Sequence, residues 1–372
     1  MTRRKRKLLV WFLLSLVFIL AASFGLMSFK PDPPLEKIEA ARKKISSARS
    51  AEAETYAQLA FKDAEALYDS AISHWKYENE KFFLYRDYTI MGIFADAASV
   101  KAEESERLAL AYSSDLKKSL EVKLANLKNK CNLFESQFKD LPMSSEIRKS
   151  YSTAKMTLAE AEIAYKNENF HSCFSKLKVV HDEIDFALIS IKSDLEDYFE
   201  MYQNWSRWAK EAVEASRTSQ DYVFLVDKFA KKCLVYKDGK QVNSLDVELG
   251  KSWIGHKLRR GDNATPEGTY RIVKKKDGAQ TKYYKALLLN FPNENDKKMF
   301  YENKKKGVLS HKAQIGGLIE IHGGGGRGAD WTEGCVALTN DDMDWLFKKA
   351  KTGTLVTIVG SREPLTNLFR WQ

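Results

Sequence analysis

The sequence predicts an α+β multidomain chain: an N-terminal transmembrane helix, an all-α domain of long antiparallel helices, and a C-terminal mostly-β domain. Three observations predict it. Leu8 to Phe29 is an uncharged run of 22 residues placed directly after Arg3, Arg4, Lys5, Arg6 and Lys7. From residue 35 to about 220 the chain carries one proline, Pro142, and one glycine, Gly92. From Asp221 onward, short apolar runs rich in Val, Leu, Ile and Tyr alternate with Gly and Asp turns.

At ~1.5 Å rise per residue the N-terminal run reaches across a hydrocarbon core of about 30 Å. The basic cluster on its N-terminal side predicts a cytoplasmic tip at 1–7, a signal anchor at 8–29 in a bacterial inner membrane, and export of everything after it. A cleaved signal peptide is the alternative; Ala21, Ala22 and Ser23 offer small residues but no A-x-A site. The net charge of +10, from 60 basic and 50 acidic residues, is unevenly spread: +5 over 1–7, −4 over 8–220 and +9 over 221–372. A composition that is 44% hydrophobic with only 7 Pro and 19 Gly excludes collagen-like and wholly disordered classes. In an exported chain the basic C-terminal segment does not point to nucleic acid.

Residues 30–220 read as a helical stalk or spacer. Ile38, Ala41, Ile45 and Ala48, then Tyr56, Leu59, Ala60, Ala64, Leu67, Tyr68, Ala71 and Trp75, recur at spacings of three and four, which makes an apolar stripe on a helix. Breaks are expected near Asn79, at Leu141-Pro142 and at 167–169, giving about four helices, some ~40–50 residues long. No chemistry is evident in this region, and a protein partner is its expected use. Of the four cysteines, Cys131 and Cys173 are the candidate pair, since both fall in the helical region.

In the C-terminal part, strands are expected at Tyr222–Val226, Cys233–Tyr236, Val242–Leu249, Thr269–Val273, Lys285–Leu289, Gly317–Ile321 and Thr354–Val359. One helix is expected at Asp341–Lys351, behind the capping sequence Thr339-Asn340-Asp341-Asp342. The domain spans 221–360, with a tail at 361–372. Its densest stretch runs from His322 through four glycines, Arg327, Asp330, Trp331, Thr332, Glu333 and Gly334 to Cys335. An imidazole near a thiol can hold it as the thiolate that attacks carbonyls, and the amides of Gly334 and Cys335 are candidates for an oxyanion hole. A buried structural cysteine beside a Gly-rich loop is the alternative on spacing alone. No G-x-S-x-G, no complete phosphate loop and no H-E-x-x-H accompanies it, so serine-esterase, nucleotide and zinc-peptidase readings lose their support. No metal and no cofactor is expected.

These residues resemble the catalytic domain of L,D-transpeptidases of the YkuD type, whose signature is a His followed at a dozen or more residues by Ser/Thr-His-Gly-Cys. Val226-Asp227-Lys228 with Leu234-Val235-Tyr236 is similar to the opening strands of that family. The run from Gly261 to Tyr270 resembles its D-x-x-T-P-E-G-x-Y block, and Ile319-Glu320-Ile321-His322-Gly323 its catalytic strand. The resemblance implies an L,D-transpeptidase-like domain in which Cys335 is the nucleophile and His322 the base. Cys335 would take the acyl group of a peptidoglycan stem peptide as a thioester and pass it to an amine, or to water in a hydrolytic branch. With Gly323 following His322, only a backbone carbonyl is at hand locally to orient the imidazole. Gly323, Arg327, Trp331 and Thr332 are the candidate substrate contacts. Glu333 stands where many members have His, and Ala337 where many have Arg.

Overall fold

The computed structural model describes residues 3–28 and 32–371. Its helical part runs through α1 (Arg3–Ser28), α2 (Leu35–Ser50), α3 (Ala53–Tyr56), α4 (Gln58–Glu80), α5 (Thr89–Gln137), α6 (Ser145–Lys166), α7 (Phe170–Phe199) and α8 (Tyr202–Ser219). Strands β1 (Val223–Asp227), β2 (Lys232–Lys237), β3 (Lys240–Asp246), β4 (Gly268–Asp277) and β5 (Lys285–Leu289) follow, then α9 (Glu294–Lys305). The chain ends with β6 (Glu320–His322), β7 (Val336–Ala337), α10 (Asn340–Lys349), β8 (Leu355–Val359) and α11 (Leu365–Leu368).

The expected transmembrane helix is corrected. Residues Arg3–Ser28 are helical, but among the described residues no helix is long and apolar enough to cross a membrane. The first five of its 26 residues are all basic, so its apolar part is shorter than the helix. The side chains at 22, 24 and 26–29 of the expected span lie outside the described residues.

Between residues 32 and 219 seven helices stand where about four were expected. The breaks around 81–88, 138–144 and 167–169 lie where they were read, and α5 reaches 49 residues. The missed breaks have local causes. Glu52 takes a left-handed φ of 58° between α2 and α3, and Glu200-Met201 interrupts the run between α7 and α8. All four cysteines are free thiols, so Cys131 and Cys173 form no pair.

The chain divides into two compact units, one of residues 1–125 with 161–175, the other of 126–160 with 176–372. In the first, Ala48, Ala53, Ala64, Ala102 and Ala109 pack around Ile45 and Phe61. Small residues at the seam let the helices approach closely at little side-chain entropy cost.

The second unit is built on one eight-stranded sheet of order β3-β2-β1-β8-β4-β5-β6-β7. The pairs β1/β8 and β6/β7 are parallel; the others are antiparallel. Alternation along the strands gives two buried faces. Phe224, Val226, Cys233 and Val235 point into the main core, against Met343 and Leu346 of α10. Leu225, Leu234, Tyr236 and Val359 point the other way, onto Phe199 of α7 and Trp205 and Ala209 of α8. Beyond β3 the chain bridges to the opposite end of the sheet, Glu248 with Ala337 and Gly250 with Thr332. The sheet therefore curls until its edge strands are joined by this segment. The tail also packs: Phe369 and Trp371 both stack on Phe138.

The domain holds a second helix where one was expected. α9 is nucleated by a capping box in which Asn293 and Asp296 each accept the other's backbone N–H. Met299 and Phe300 are too few apolar residues in its charged sequence for the 3.6 period to stand out.

Candidate active site

His322 ends β6 and is fully buried. The β6/β7 register sets Ile321 opposite Val336 and His322 opposite Ala337, so Cys335 enters β7 level with Glu320. The Glu320 N–H donates to Cys335 Sγ at 3.4 Å, and the thiol points its proton at Leu318 O, 3.7 Å away. Strand pairing thus brings together two residues separated by a 12-residue loop.

The imidazole is fixed through Nδ1, 2.7 Å from Gly323 O. A carbonyl oxygen can only accept, so Nδ1 carries the proton and the neutral ring presents a bare Nε2. That Nε2 is buried and has no hydrogen-bond partner among the described residues. Gly323 is required in its place: a Cβ there would stand 2.7 Å from Asn340 Oδ1 and 3.1 Å from Tyr284 Cβ. Burial lowers the His322 pKa below the ordinary histidine value, and burial pushes the Cys335 thiol up to about 11. Both groups rest neutral at pH 7.

Gly334 has φ +130°, and a Cβ on it would lie 2.5 Å from Ala264 O. Its N–H donates to Thr332 Oγ1 at 3.2 Å, and the same hydroxyl donates to Cys335 O at 2.7 Å. Thr332 is buried and braces the turn before the thiol. Lys257, also buried, reaches the turn from outside, donating to Glu333 O at 3.2 Å while paired with Asp262 Oδ1 at 2.7 Å. Asp262 in turn accepts from the backbone N–H groups of Leu258, Arg259 and Ala264. The Asp262–Gly268 block therefore supports the turn before Cys335.

The loop between His322 and Cys335 is tied down. Glu248 accepts from the N–H of Arg327, from Gly328 N at 2.7 Å and from Trp331 Nε1 at 2.7 Å. Asp330 accepts from Leu249 N and pairs with Lys231 at 2.7 Å. Arg327 stacks on Trp331, 3.5 Å from ring centre to guanidinium carbon. Trp331 meets His322 edge-on at 5.8 Å, and Tyr283 lies flat against His322 at 3.5 Å with 5° between the rings. Glu333 is exposed, while Ala337 is fully buried with both backbone groups bonded to Glu248.

Cys335, Trp331, Thr332, Tyr283 and Leu318 line a groove of about 850 Å³ with Lys257, Arg260, Lys276 and Lys282 on its walls. Of the candidate residues, Trp331, Thr332 and Cys335 line this groove; His322 lies behind it against Trp331 and is held by Gly323 O, Arg327 stacks on Trp331, and Gly334 bonds to Thr332. Tyr283, Glu248 and Lys257 were not singled out from the sequence. Tyr283 lies two residues before a recognisable strand; Glu248, and Lys257 in its contact with Glu333 O, carried no signal, because those partners lie about 75 residues or more away.

Residues 221–358 match the family model of the YkuD L,D-transpeptidase catalytic domain. "Putative L,D-transpeptidase YafK" of Escherichia coli (strain K12) is 32% identical over 126 residues, 33% of this chain and 44% of that protein. The chain thus spans less than half the length of that relative. Among solved structures, Bd1075 of Bdellovibrio bacteriovorus is 24% identical, covering 39% of this chain and 50% of that one with a TM-score of 0.30. An L,D-transpeptidase from Mycobacterium smegmatis is 15% identical, covering 37% and 58% with a TM-score of 0.25.

Proposed function

We propose, from a C-terminal domain that belongs to the YkuD L,D-transpeptidase family at residues 221–358, that this chain is a cysteine acyltransferase acting on peptidoglycan stem peptides. The observation that carries the reading is a groove-lining thiol at the head of β7, on the strand that pairs with β6, whose buried imidazole has an Nε2 without a partner among the described residues.

In this reading the Cys335 proton passes to His322 Nε2, and the thiolate attacks the acyl carbon of the donor stem. The Glu320 N–H already directed at Sγ supports the thiolate. The carbonyl π electrons move to oxygen, where the Cys335 amide, and Gly334 N–H once turned from Thr332 Oγ1, can donate. When the C–N bond breaks, the leaving amine takes the proton from Nε2 and a thioester remains. An acceptor amine then loses its proton to Nε2, attacks the thioester and expels the thiolate, which is reprotonated. Water in place of the amine gives hydrolysis by the same route.

Muropeptide mass spectrometry on the full chain and its Cys335→Ala variant tests the reading. Cross-linked dimers or new acyl adducts that vanish in Cys335→Ala support transfer. Trimmed monomers that vanish in the variant replace transfer by hydrolysis. Identical products from both chains would sink either enzymatic reading.

A further inference from the structure

The base of this site lacks an anionic partner. Nδ1 of His322 donates to the neutral carbonyl of Gly323, where many acyl-transfer sites place a carboxylate. The imidazole must nonetheless become a cation when it takes the thiol proton, inside a fully buried position. The groups around it offer few ways to meet that charge. Glu320, two residues earlier on the same strand, favours the cation but is itself paired with Lys276 at 2.6 Å. Lys282, from the segment before β5, and Arg327, from the Gly-rich loop, are both positive and disfavour the cation. Trp331 stands at 66° to the imidazole with 5.8 Å between ring centres, and already carries the Arg327 guanidinium on its ring. The remaining surface is the ring face of Tyr283, parallel to the imidazole within 5° and 3.5 Å away.

Tyr283 is itself held. Its N–H donates to Thr281 Oγ1 at 3.0 Å, and the Lys282 ammonium lies 5.0 Å from the centre of its ring. One hydrogen bond at Nδ1 leaves the imidazole free to tilt about that bond; a flat ring at contact distance removes the freedom. The negative face of an aromatic ring also attracts a cation, most strongly where water is excluded.

We propose that Tyr283 is the positioning residue of the base: its ring fixes the plane of His322 with Nε2 available to the Cys335 thiol and stabilises the imidazolium formed when that proton is transferred. The step is a proton transfer only. Sulfur keeps the electron pair as thiolate, and Nε2 gains the proton. The proposal rests on the cysteine acyl-transfer reading, but it can be tested without turnover, because thiolate formation in the free protein is read by alkylation.

The experiment measures the rate of Cys335 modification by iodoacetamide from pH 6 to 9, with kcat and KM on stem peptides alongside. It compares the full wild-type chain with Tyr283→Phe, Tyr283→Leu and Tyr283→Met. Leu and Met keep the cover over His322, so water does not replace the lost ring. Both are expected to slow alkylation at pH 7 by about 5–30-fold, the factor that ~1–2 kcal/mol of ring–cation stabilisation gives at 1.36 kcal/mol per tenfold. Their kcat should fall in parallel with KM little changed, and Tyr283→Phe should recover about half the wild-type rate or more. Alkylation of Tyr283→Leu and Tyr283→Met at the wild-type rate overturns the proposal, as does Tyr283→Phe being as slow as Leu. A wild-type chain that makes no Cys335-dependent product removes the acyl-transfer reading instead, while the alkylation series still decides the role of Tyr283.

Discussion

Replacing Lys228 by Met should unfold the catalytic unit far more readily than any single surface change, because of what surrounds its ammonium. Lys228 is fully buried and donates to Glu267 Oε1 at 2.6 Å, Gly255 O at 2.8 Å and Thr265 O at 3.1 Å. Glu267 also accepts from Tyr198 of α7 at 2.5 Å and Trp205 of α8 at 3.0 Å. Met fills the space but leaves a buried carboxylate with two neutral donors and no countercharge, a loss of about 3–5 kcal/mol. Native-state hydrogen exchange of the β1 amides is the assay, since two compact units make a single melting temperature ill-defined. Those amides should exchange roughly 150- to 5,000-fold faster, at 1.36 kcal/mol per tenfold. The Lys228→Met/Glu267→Gln double variant should exchange more slowly than Lys228→Met, because removing the stranded charge relieves most of the loss. A loss under about 1 kcal/mol, or a double variant that is merely additive, would refute the reasoning.

Four further outcomes are expected. Iodoacetamide should label Cys335 before Cys131, Cys173 and Cys233, which are all buried, and in His322→Ala the labelling rate should rise only as pH approaches the thiol value of about 11; peptide mapping across pH reads both. The same groups set a sign for stability. His322, with a lowered pKa, contributes stability that is lost as pH falls below about 6.5, and Cys335, with a raised one, contributes stability lost as pH climbs from about 9 toward 11. Denaturant midpoints should therefore drop on both sides of neutrality, and His322→Gln should flatten the acid side. Gly334→Ala should abolish turnover and cost on the order of 3 kcal/mol or more, since its Cβ would meet Ala264 O at 2.5 Å at a φ of +130°; a folded, active Gly334→Ala chain on urea titration contradicts the geometry. Arg260→Gln with Lys282→Gln should raise KM for anionic stems several-fold and weaken its salt dependence, while kcat holds; an unchanged KM at low salt would remove electrostatic capture by these two side chains.

What could be read from the sequence was whatever is local in the chain. The β5 strand stands at the residues expected, and α10 starts within one residue of its expected place, behind Thr339, which accepts from Asp342 N. His322 and Cys335 were legible because a strand end and a Gly-rich loop mark them. Interactions across long separations were not. Tyr283 reaches His322 from 39 residues away, and nothing in a Tyr-Tyr pair before a strand says which ring turns inward. The Gly-rich loop carries no local sign of what holds it, yet Glu248 and Asp330 anchor it by bonds that span about 80 residues. The break at Glu52 was hidden because a left-handed glutamate has no residue-type signature.

Ala337 shows how a departure from a common pattern can be absorbed. Its side chain is fully buried, and its backbone is bonded in both directions to Glu248, so a guanidinium at this position would displace the segment that anchors the Gly-rich loop. The positive charge of the groove comes from other segments instead. Lys257 is committed to Asp262 and Glu333 O, and Lys276 to Glu320. Among the described groove residues that leaves Arg260, bonded to Gln314, and Lys282, 5.0 Å from the centre of the Tyr283 ring, as cations without a carboxylate partner. These two side chains, and not one at position 337, are therefore where an anionic ligand entering the groove would meet unneutralised charge.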